Sequence, residues 1–263
     1  MNDVIWARTR HHYEQYDDMF RLAELAGYPI VYLDQVPWHE PITVISSPHQ
    51  GEYLGIPKDR RARHILWNIE RPTPGTDYSH RDAKDMPYGV DCVWVSDAAM
   101  ARHTGAKYVF LGSHPDFAPL EVIHREYDVI HLMGTWGRRS GIPSQLEGLA
   151  QADLMGGTWG TARHERLTKS KLMLSAHQDD MCWIEPPRYM IAGSYALALI
   201  AERSENSGHW CDGEHFIAAD IDQLGATARA LLKDEVRIAR LGAAAWRLVM
   251  VQHPFKREVE AAL

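Results

Sequence analysis

Residues 127–139 read YDVIHLMGTWGRR, and this stretch indicates the fold class. Its first seven residues form a largely apolar run with β-branched side chains, which is typical of a buried strand. A loop with two glycines and two arginines follows, and Pro143 and Ser144 then mark a helix start. A strand that passes through a glycine loop into a helix is the repeating unit of a parallel α/β sheet. The same alternation is therefore expected on both sides of this stretch.

Short β-branched or aromatic runs do alternate with amphipathic stretches along the chain. Before residue 127 they predict strands at residues 4–7, 30–33, 42–46, 64–68, 92–95 and 108–111, and the best-marked helix ends at Gly27. After residue 127 they predict strands at 171–175, 197–201 and 216–218, and helices at 144–154, 187–195, 222–232 and 234–251. This order predicts an α/β protein with parallel sheets and helices on both faces.

Proline-rich breaks divide the alternation into segments. Residues 115–119 read PDFAP and interrupt the chain, which predicts a first domain over residues 1–120 and a second domain over residues 121–252. The pair His253-Pro254 then breaks the chain again. Residues 253–263 are therefore predicted to form a terminal segment with one last short helix.

Composition and charge narrow the class of protein. Of the 263 residues, 45% are hydrophobic and 24% are charged, which is ordinary for a globular chain. No apolar run of about eighteen residues and no signal-peptide pattern is present, and the three cysteines are scattered, so we expect a cytoplasmic protein without a transmembrane segment. A net charge of -7 argues against broad nucleic-acid binding. The expected partner is a small molecule or a sugar chain.

The glycine loop that contains Gly134 is the first candidate site. Open α/β sheets bind ligands at the carboxyl ends of their strands, and a glycine loop that leads into a helix suits a phosphate group. Arg138 and Arg139 would add charge-assisted hydrogen bonds. The alternative is a glycine turn with two solvated arginines, because the loop contains no complete nucleotide-binding motif.

A second candidate site surrounds the strand predicted at residues 171–175. Lys171 begins this strand, His177 follows its end, and Glu185 and Arg188 open the next predicted helix. Titratable groups gathered at a strand end can supply donors, acceptors and a proton carrier. The alternative is a polar loop with an acid near a helix start.

Two patterns contain residue types that bind metals. His209, Cys211 and His215 offer imidazole and thiol ligands, but the sequence has no paired-cysteine motif to complete a closed site. Asp220 and Asp222 form a DxD pattern, which a helix start explains better. We predict no metal site.

Three histidines on predicted loops of the first domain are candidates for a general base. His11 and His12 follow the first predicted strand, and His49 follows the third. An imidazole can take up a proton near neutral pH, as the attack of a hydroxyl group requires. The alternative for each is an ordinary surface histidine.

The motifs of the second half, taken in order, resemble those of one family. They are residues 127–134 with Arg138-Arg139, residues 170–177, residues 188–192 with the strand that ends at Glu202, residues 213–216 and residues 253–257. In order and spacing they resemble the GT-B glycosyltransferases, which have two Rossmann-like domains facing a cleft, and in particular the spore-maturation-protein-like (CgeB-type) group. Weaker matches at residues 66–72 and 93–97 extend the resemblance toward the amino terminus.

The resemblance implies a function. In this family a sugar moves from a nucleoside diphosphate donor, such as a UDP-sugar, to a hydroxyl acceptor, and basic residues instead of a metal neutralise the diphosphate. It implies that the second domain binds this nucleotide sugar, that the first domain faces an acceptor such as a glycan or a small molecule, and that the terminal helix crosses back to the first domain. No separate cofactor is expected. The residues implied to contact the donor are Gly134, Arg138, Arg139, Lys171, His177, Glu185, Arg188 and Glu202.

The chain departs from the family pattern at one motif. Relatives read Arg-x-Phe-Glu-Ala followed by Cys-Gly, and their glutamate binds the ribose, but here the positions read Ile191 and Ala196. An isoleucine accepts no hydrogen bond from a ribose hydroxyl. Glu185 or Glu202 could take the ribose, the donor could bind in another way, or the site could be degenerate.

Two rival functions stay open at this point. A catalytically silent GT-B module that binds a nucleotide, a glycan or a protein would account for Ile191. A metal-dependent GT-A transferase would use Asp220 and Asp222, and a chelator would abolish its activity. Release of nucleoside diphosphate without an acceptor would favour the enzyme over the silent module.

Overall fold

A computed structural model describes residues 3–10, 17–46, 56–69, 90–118, 124–152, 160–178, 180 and 183–263. The chain forms two compact units. One comprises Met1–Phe110 together with Phe255–Leu263, and the other comprises Leu111–Pro254. Each unit contains one parallel sheet with helices, so the α/β prediction is confirmed.

The sheet of the first unit has six parallel strands. They are β1 (Val4–Arg8), β2 (Ile30–Tyr32), β3 (Thr43–Ser46), β4 (Arg63–Asn68), β5 (Cys92–Val95) and β6 (Lys107–Tyr108), in the order β2-β1-β3-β4-β5-β6. The helices of this unit are α1 (Asp17–Leu25), α2 (Ala98–Thr104) and the last helix of the chain, α8 (Phe255–Ala262). The six predicted strands are all present, although β6 is shorter than expected.

Aromatic rings form the core of the first unit. Trp6, Trp67 and Trp94, from β1, β4 and β5, are completely buried. Phe255 of α8 stacks on Trp67, with ring centroids 5.7 Å apart and planes 12° apart, and its centroid lies 5.6 Å from that of Trp6. The prediction that the terminal helix returns to the first domain is confirmed. Lys107 fastens the end of this helix by donating a hydrogen bond to the carbonyl oxygen of Ala262.

The sheet of the second unit has five parallel strands and an aliphatic core. The strands are β7 (Tyr127–His131), β8 (Gln151–Ala152), β9 (Ser170–Ser175), β10 (Ala198–Glu202) and β11 (Phe216–Ala219), in the order β11-β10-β9-β7-β8. The helices are α3 (Ile142–Gln145), α4 (Gly160–Thr168), α5 (Pro186–Ser194), α6 (Leu224–Leu231) and α7 (Glu235–Arg247), and a π-helical turn at Leu248–Gln252 continues α7. Leucine, isoleucine, valine and alanine side chains dominate the core. Within the described segments no helix is long and apolar enough to cross a bilayer.

The helix predicted at residues 144–154 is wrong. α3 ends at Gln145, and β8 begins at Gln151. Gly148, between them, has a φ of 78°, a left-handed conformation that stops a helix and suits glycine. The residues after this turn pair with β7 instead of extending the helix.

Two further helices, α2 and α4, have no counterpart among the predicted ones. The Asp97 carboxylate accepts a hydrogen bond of 2.5 Å from the backbone N–H of Met100 and so caps α2. An aspartate before an alanine-rich run is a helix-start signal. This signal was sufficient to predict α2.

Small residues allow α5 to pack closely on α7. A methyl group at Gly193 of α5 would lie 2.9 Å from the Val249 side chain, and one at Gly242 of α7 would lie 2.2 Å from the carbonyl oxygen of Ala196. Ala196, just after α5, has a φ of 49°, which favours glycine. This close packing fixes α5 against the second sheet and so sets the position of its first turn.

Candidate active site

The carboxyl ends of three neighbouring strands in the second sheet bring charged side chains together. β7, β9 and β10 run in the same direction, so the loops that follow them share one edge of the sheet, and the first turn of α5 contributes to the same place. We call this group the edge cluster. Its members are Arg138, Arg139, His177, Asp180, Glu185, Arg188 and Glu202.

Arg138 and Glu202 form a bidentate ion pair. One terminal nitrogen of Arg138 donates to Glu202 Oε2 at 2.6 Å, and the other donates to Oε1. Arg138 Nε also lies 3.4 Å from an Asp180 carboxylate oxygen. The Arg138 side chain is 29% exposed and that of Glu202 is 7% exposed, so a ligand could reach the guanidinium from solvent.

Glu202 is an ionised carboxylate held in a buried position. Burial alone would raise the pKa of Glu202, because it disfavours the charged form. Hydrogen bonds from the Arg138 guanidinium and from the backbone N–H of His177, at 2.8 Å, together with nearby positive charge, outweigh burial and hold this pKa below its usual value. Glu202 therefore remains charged at neutral pH.

Arg139 holds the end of β9 in place. Its terminal nitrogen donates to Glu185 Oε1 at 2.7 Å and to the carbonyl oxygen of Ala176 at 2.5 Å. Its Nε donates to the carbonyl oxygen of His177 at 3.2 Å. The side chain is only 3% exposed. Arg139 is thus more enclosed by protein than Arg138.

Glu185 and Arg188 connect the start of α5 to the same edge. Glu185 immediately precedes α5, and its second carboxylate oxygen pairs with Arg188 one turn later. Arg188 also donates to the carbonyl oxygen of Ala176 at 3.3 Å. Both side chains are partly exposed, at 17% and 15%. Pro186 and Pro187 open α5 without N–H groups, and the N–H of Arg188 bonds to the carbonyl oxygen of Glu185, so side chains supply the donors at this place.

His177 lies beneath the ion pairs. Its side chain is buried, with Nδ1 3.7 Å from Glu202 Oε2 and Nε2 3.3 Å from the hydroxyl oxygen of Ser204. Ser204 is a site residue that was not predicted, whereas Asp180 lies within the second candidate segment. Ser204 comes two residues after the end of β10, so its position just past a strand was the signal that could have indicated it.

Gly134 supports an exposed aromatic ring beside the edge cluster. The Trp136 side chain is largely exposed, and a methyl group added at Gly134 would lie 1.6 Å from its ring. Glycine is therefore required for this ring position. The loop places a planar apolar surface within two residues of Arg138.

Four predicted site residues remain, of which the structure describes Lys171. Lys171 is the second residue of β9 and pairs with Asp128 at 2.8 Å, at the amino ends of the strands, roughly 15 Å along β9 from the edge cluster. The structure does not bring it to the other candidates. The candidate bases His11, His12 and His49 lie outside the described residues.

The residues considered as metal ligands are arranged as follows. Cys211, Glu214 and His215 have ligand atoms within 4.8 Å of one another. However, His215 Nδ1 accepts a hydrogen bond of 3.0 Å from the backbone N–H of Cys211, whereas a metal-binding histidine normally donates from its second nitrogen. Burial, opposed in part by Glu214, lowers the pKa of His215, so its ring stays neutral at pH 7, with the proton on Nε2. This tautomer leaves no ring nitrogen ready to bind a metal.

The structure also shows the surroundings of the DxD pattern and of Ile191. Asp220, in the DxD pattern, pairs with Arg203 at 3.1 Å and precedes a short 3-10 turn that leads into α6. Ile191, where relatives have a glutamate, is buried on α5 and is 3% exposed. The carboxylates at this edge come instead from Glu185 and Glu202.

Comparisons with known proteins identify the fold. No family model and no curated protein matches the chain. HepE from Anabaena, solved in complex with UDP and glucose, is 8% identical and has a TM-score of 0.63, with 100% of this chain and 99% of HepE covered. AviGT4, a glycosyltransferase involved in avilamycin A biosynthesis, is 12% identical with a TM-score of 0.59, over 98% of this chain and 96% of AviGT4. TarM is 8% identical with a TM-score of 0.56 over 84% of this chain, which spans about half of TarM (54%).

The chain therefore has a GT-B-like fold, built from two Rossmann-like α/β units. The fold prediction made from the ordered motifs is confirmed. At these identities the likeness extends to the fold alone, and the function has to be argued from the site.

Proposed function

We propose that the protein is a glycosyltransferase that moves a sugar from a nucleoside diphosphate donor to a hydroxyl acceptor without a metal. The observation that supports this proposal is the edge cluster. It gathers three arginines at the ligand-binding edge of a parallel sheet, in a chain with a GT-B-like fold.

These groups suit the departure of a diphosphate. In the transfer, the bond between the anomeric carbon and the diphosphate oxygen breaks, and the diphosphate leaves with the electron pair. Arg138 and Arg188 would stabilise the negative charge that develops on it. The acceptor oxygen bonds to the anomeric carbon and gives its proton to a base, a role that we assign to His11, His12 or His49.

The finer parts of the proposal follow from the motifs and the fold. The donor is a UDP-sugar, the kind of ligand in the HepE complexes. Residues 121–252 bind this donor, residues 1–120 face the acceptor, and residues 253–263 return to the first domain. The motif order supports membership of the CgeB-type group, and the free thiols of Cys92 and Cys211 support a cytoplasmic location.

A second candidate function is a catalytically silent GT-B module. Two observations favour it: carboxylates already occupy the arginines, and Ile191 replaces the glutamate of relatives. The module would bind its partner without transferring a sugar. Slow hydrolysis of a UDP-sugar without an acceptor, followed as release of UDP, separates the two candidates, because only the enzyme cleaves the donor.

Nucleotide binding tests the donor site directly. We expect UDP to raise the melting temperature of the wild type, because a ligand that binds only the folded state stabilises it. Arg138→Ala should abolish the shift, whereas Arg203→Ala, at an exposed pair just past β10, should retain it. A wild type that no nucleoside diphosphate stabilises would refute the proposed donor site. Donor cleavage should also continue with excess chelator, and its loss would contradict the metal-free mechanism.

A further inference from the structure

The arginines of the edge cluster already hold anions that belong to the chain itself. The Glu202 carboxylate occupies the donor groups of Arg138, and the Glu185 carboxylate bridges Arg139 and Arg188. Each carboxylate accepts two charge-assisted bonds, as a phosphate oxygen pair would. The site therefore contains two separate anion positions, both filled.

The partners of these carboxylates differ in how easily a ligand can reach them. Arg138 and Arg188 are partly exposed, whereas Arg139 is enclosed and bound to backbone carbonyls. A ligand can thus approach one arginine at each anion position. Among the described residues, the other charged or titratable groups with contacts at these positions are Asp180 and His177.

We propose that Glu202 and Glu185 make the site selective for ligands with two linked phosphoryl groups, because only such a ligand displaces Glu202 from Arg138 and Glu185 from Arg188 at the same time. This inference rests on the proposed donor site and names the determinant of its phosphate specificity. It assigns Glu202 and Glu185 as internal competitors of the donor, not as contacts to its ribose.

Charge balance explains the selectivity. Each phosphoryl group of a diphosphate carries negative charge at neutral pH, so a diphosphate can replace the internal anion at both positions. A partly buried guanidinium is stable only with a counter-charge, and such an exchange keeps Arg138 and Arg188 paired, while Glu202 retains the N–H of His177 and Glu185 retains Arg139. A nucleoside monophosphate replaces one carboxylate and leaves the other in place. A monophosphate therefore makes fewer new contacts, although the entropy lost when it is held in the site is the same.

The neutral variant Glu202→Gln changes this balance. Arg138 then lacks its strongest internal partner, and an incoming phosphoryl group competes only with Asp180, whose carboxylate is fully exposed. The gain in affinity applies to any phosphate ligand. The relative gain is larger for a monophosphate, because in the wild type a monophosphate must displace a carboxylate and still fills only one of the two anion positions.

Calorimetric titration with UDP and UMP tests the inference. The wild type should bind UDP and discriminate strongly against UMP. In Glu202→Gln we expect UMP to bind about tenfold more tightly and the UDP-to-UMP affinity ratio to fall by about fivefold or more. Glu185→Gln should change the ratio in the same direction and decides the question if Glu202→Gln does not fold. Glu205→Gln, at an exposed glutamate in the same loop, is the matched control and should leave both affinities unchanged.

The possible results separate the two proposals. If the wild type binds UDP and Glu202→Gln weakens UDP or leaves the ratio unchanged, the internal-competitor role is wrong and the donor site stands. If neither the wild type nor the variants bind any nucleotide, both proposals fail. If only the variants bind UDP, a diphosphate does not displace the carboxylates, and the selectivity proposal is overturned.

Discussion

Each unit contains a buried cluster of a different kind. The first unit packs Trp6, Trp67, Trp94 and Phe255 against one another. The second unit has an aliphatic core and, at one edge of its sheet, buries the charged groups of Arg139 and Glu202. Apolar rings stabilise a core without regard to pH, whereas a buried charge is stable only beside its partner. The aromatic cluster therefore stabilises the first unit independently of pH. The stability of the ionic cluster changes when a ligand or a proton changes its charge.

The largest effect that separates the two units should come from the aromatic core. Phe255→Ala removes a completely buried ring and leaves a cavity between Trp6 and Trp67, so we expect the free energy of unfolding to fall by about 3–5 kcal/mol. Urea unfolding measures the loss. Lys256→Ala, at the exposed next position of α8, should cost less than about 0.5 kcal/mol. A loss below 1 kcal/mol for Phe255→Ala would mean that the stacked rings do not carry the core.

The ionic edge should show a smaller loss that depends on pH. Arg138→Ala leaves the buried Glu202 carboxylate without its bidentate partner. We expect a cost of about 2–3 kcal/mol at pH 7, below the range for completely buried pairs because Arg138 is partly exposed. Arg203→Ala, at an exposed pair, is the matched control and should cost at most about 1 kcal/mol.

The sign of the pH dependence follows from Glu202. Its pKa is lowered in the folded wild type, so the stability that the ion pair provides is present above the pKa of the unfolded chain and disappears as the pH falls through the lower folded value. The difference in stability between the wild type and Arg138→Ala should therefore hold from pH 7 to about 5 and shrink as the pH drops from about 5 toward 3. A difference that stays constant over this range would show that charge pairing is not its cause.

The smallest effect concerns the phenol of Tyr28 in the first unit. Burial, with a smaller contribution from the negative charge of Glu260 on α8, raises the pKa of Tyr28 to about 12. Because this folded value lies above the unfolded one, the corresponding stability is present below about pH 10 and declines as the pH rises toward 12. Ultraviolet titration of tyrosinate should show that Glu260→Gln lowers this pKa slightly, while Glu258→Gln leaves it unchanged. An unaltered titration in Glu260→Gln would show that burial alone causes the shift.

The strands could be predicted well because each has a local signal. The apolar runs around β1, β4, β5, β9 and β10 begin and end within two residues of their predicted bounds. The failure at residues 144–154 has a physical cause: the pairing of β8 with β7 depends on a partner distant in sequence, and no local periodicity encodes it.

The residues of the candidate site could be proposed from the sequence, but the ion pairs that they form could not. Arg138, His177 and Glu202 follow strand ends, so a parallel sheet brings them to one edge. Lys171 was included on proximity along the chain, although it opens β9 and so belongs to the opposite edge of the sheet. Which carboxylate meets which arginine depends on side-chain conformations across the sheet edge. No sequence pattern reports these.

The return of α8 has a consequence for the order in which the protein is completed during translation. Every strand of the first unit is synthesised before Leu111–Pro254, but Phe255 follows that whole segment. At about 5–20 residues per second, the ribosome needs roughly 7–30 s to make it. At the end of that interval the second unit has all of its own strands and helices, whereas Trp6 and Trp67 still lack the ring that covers them. The first unit is thus completed after the second, and its tryptophans stay uncovered until α8 has been made.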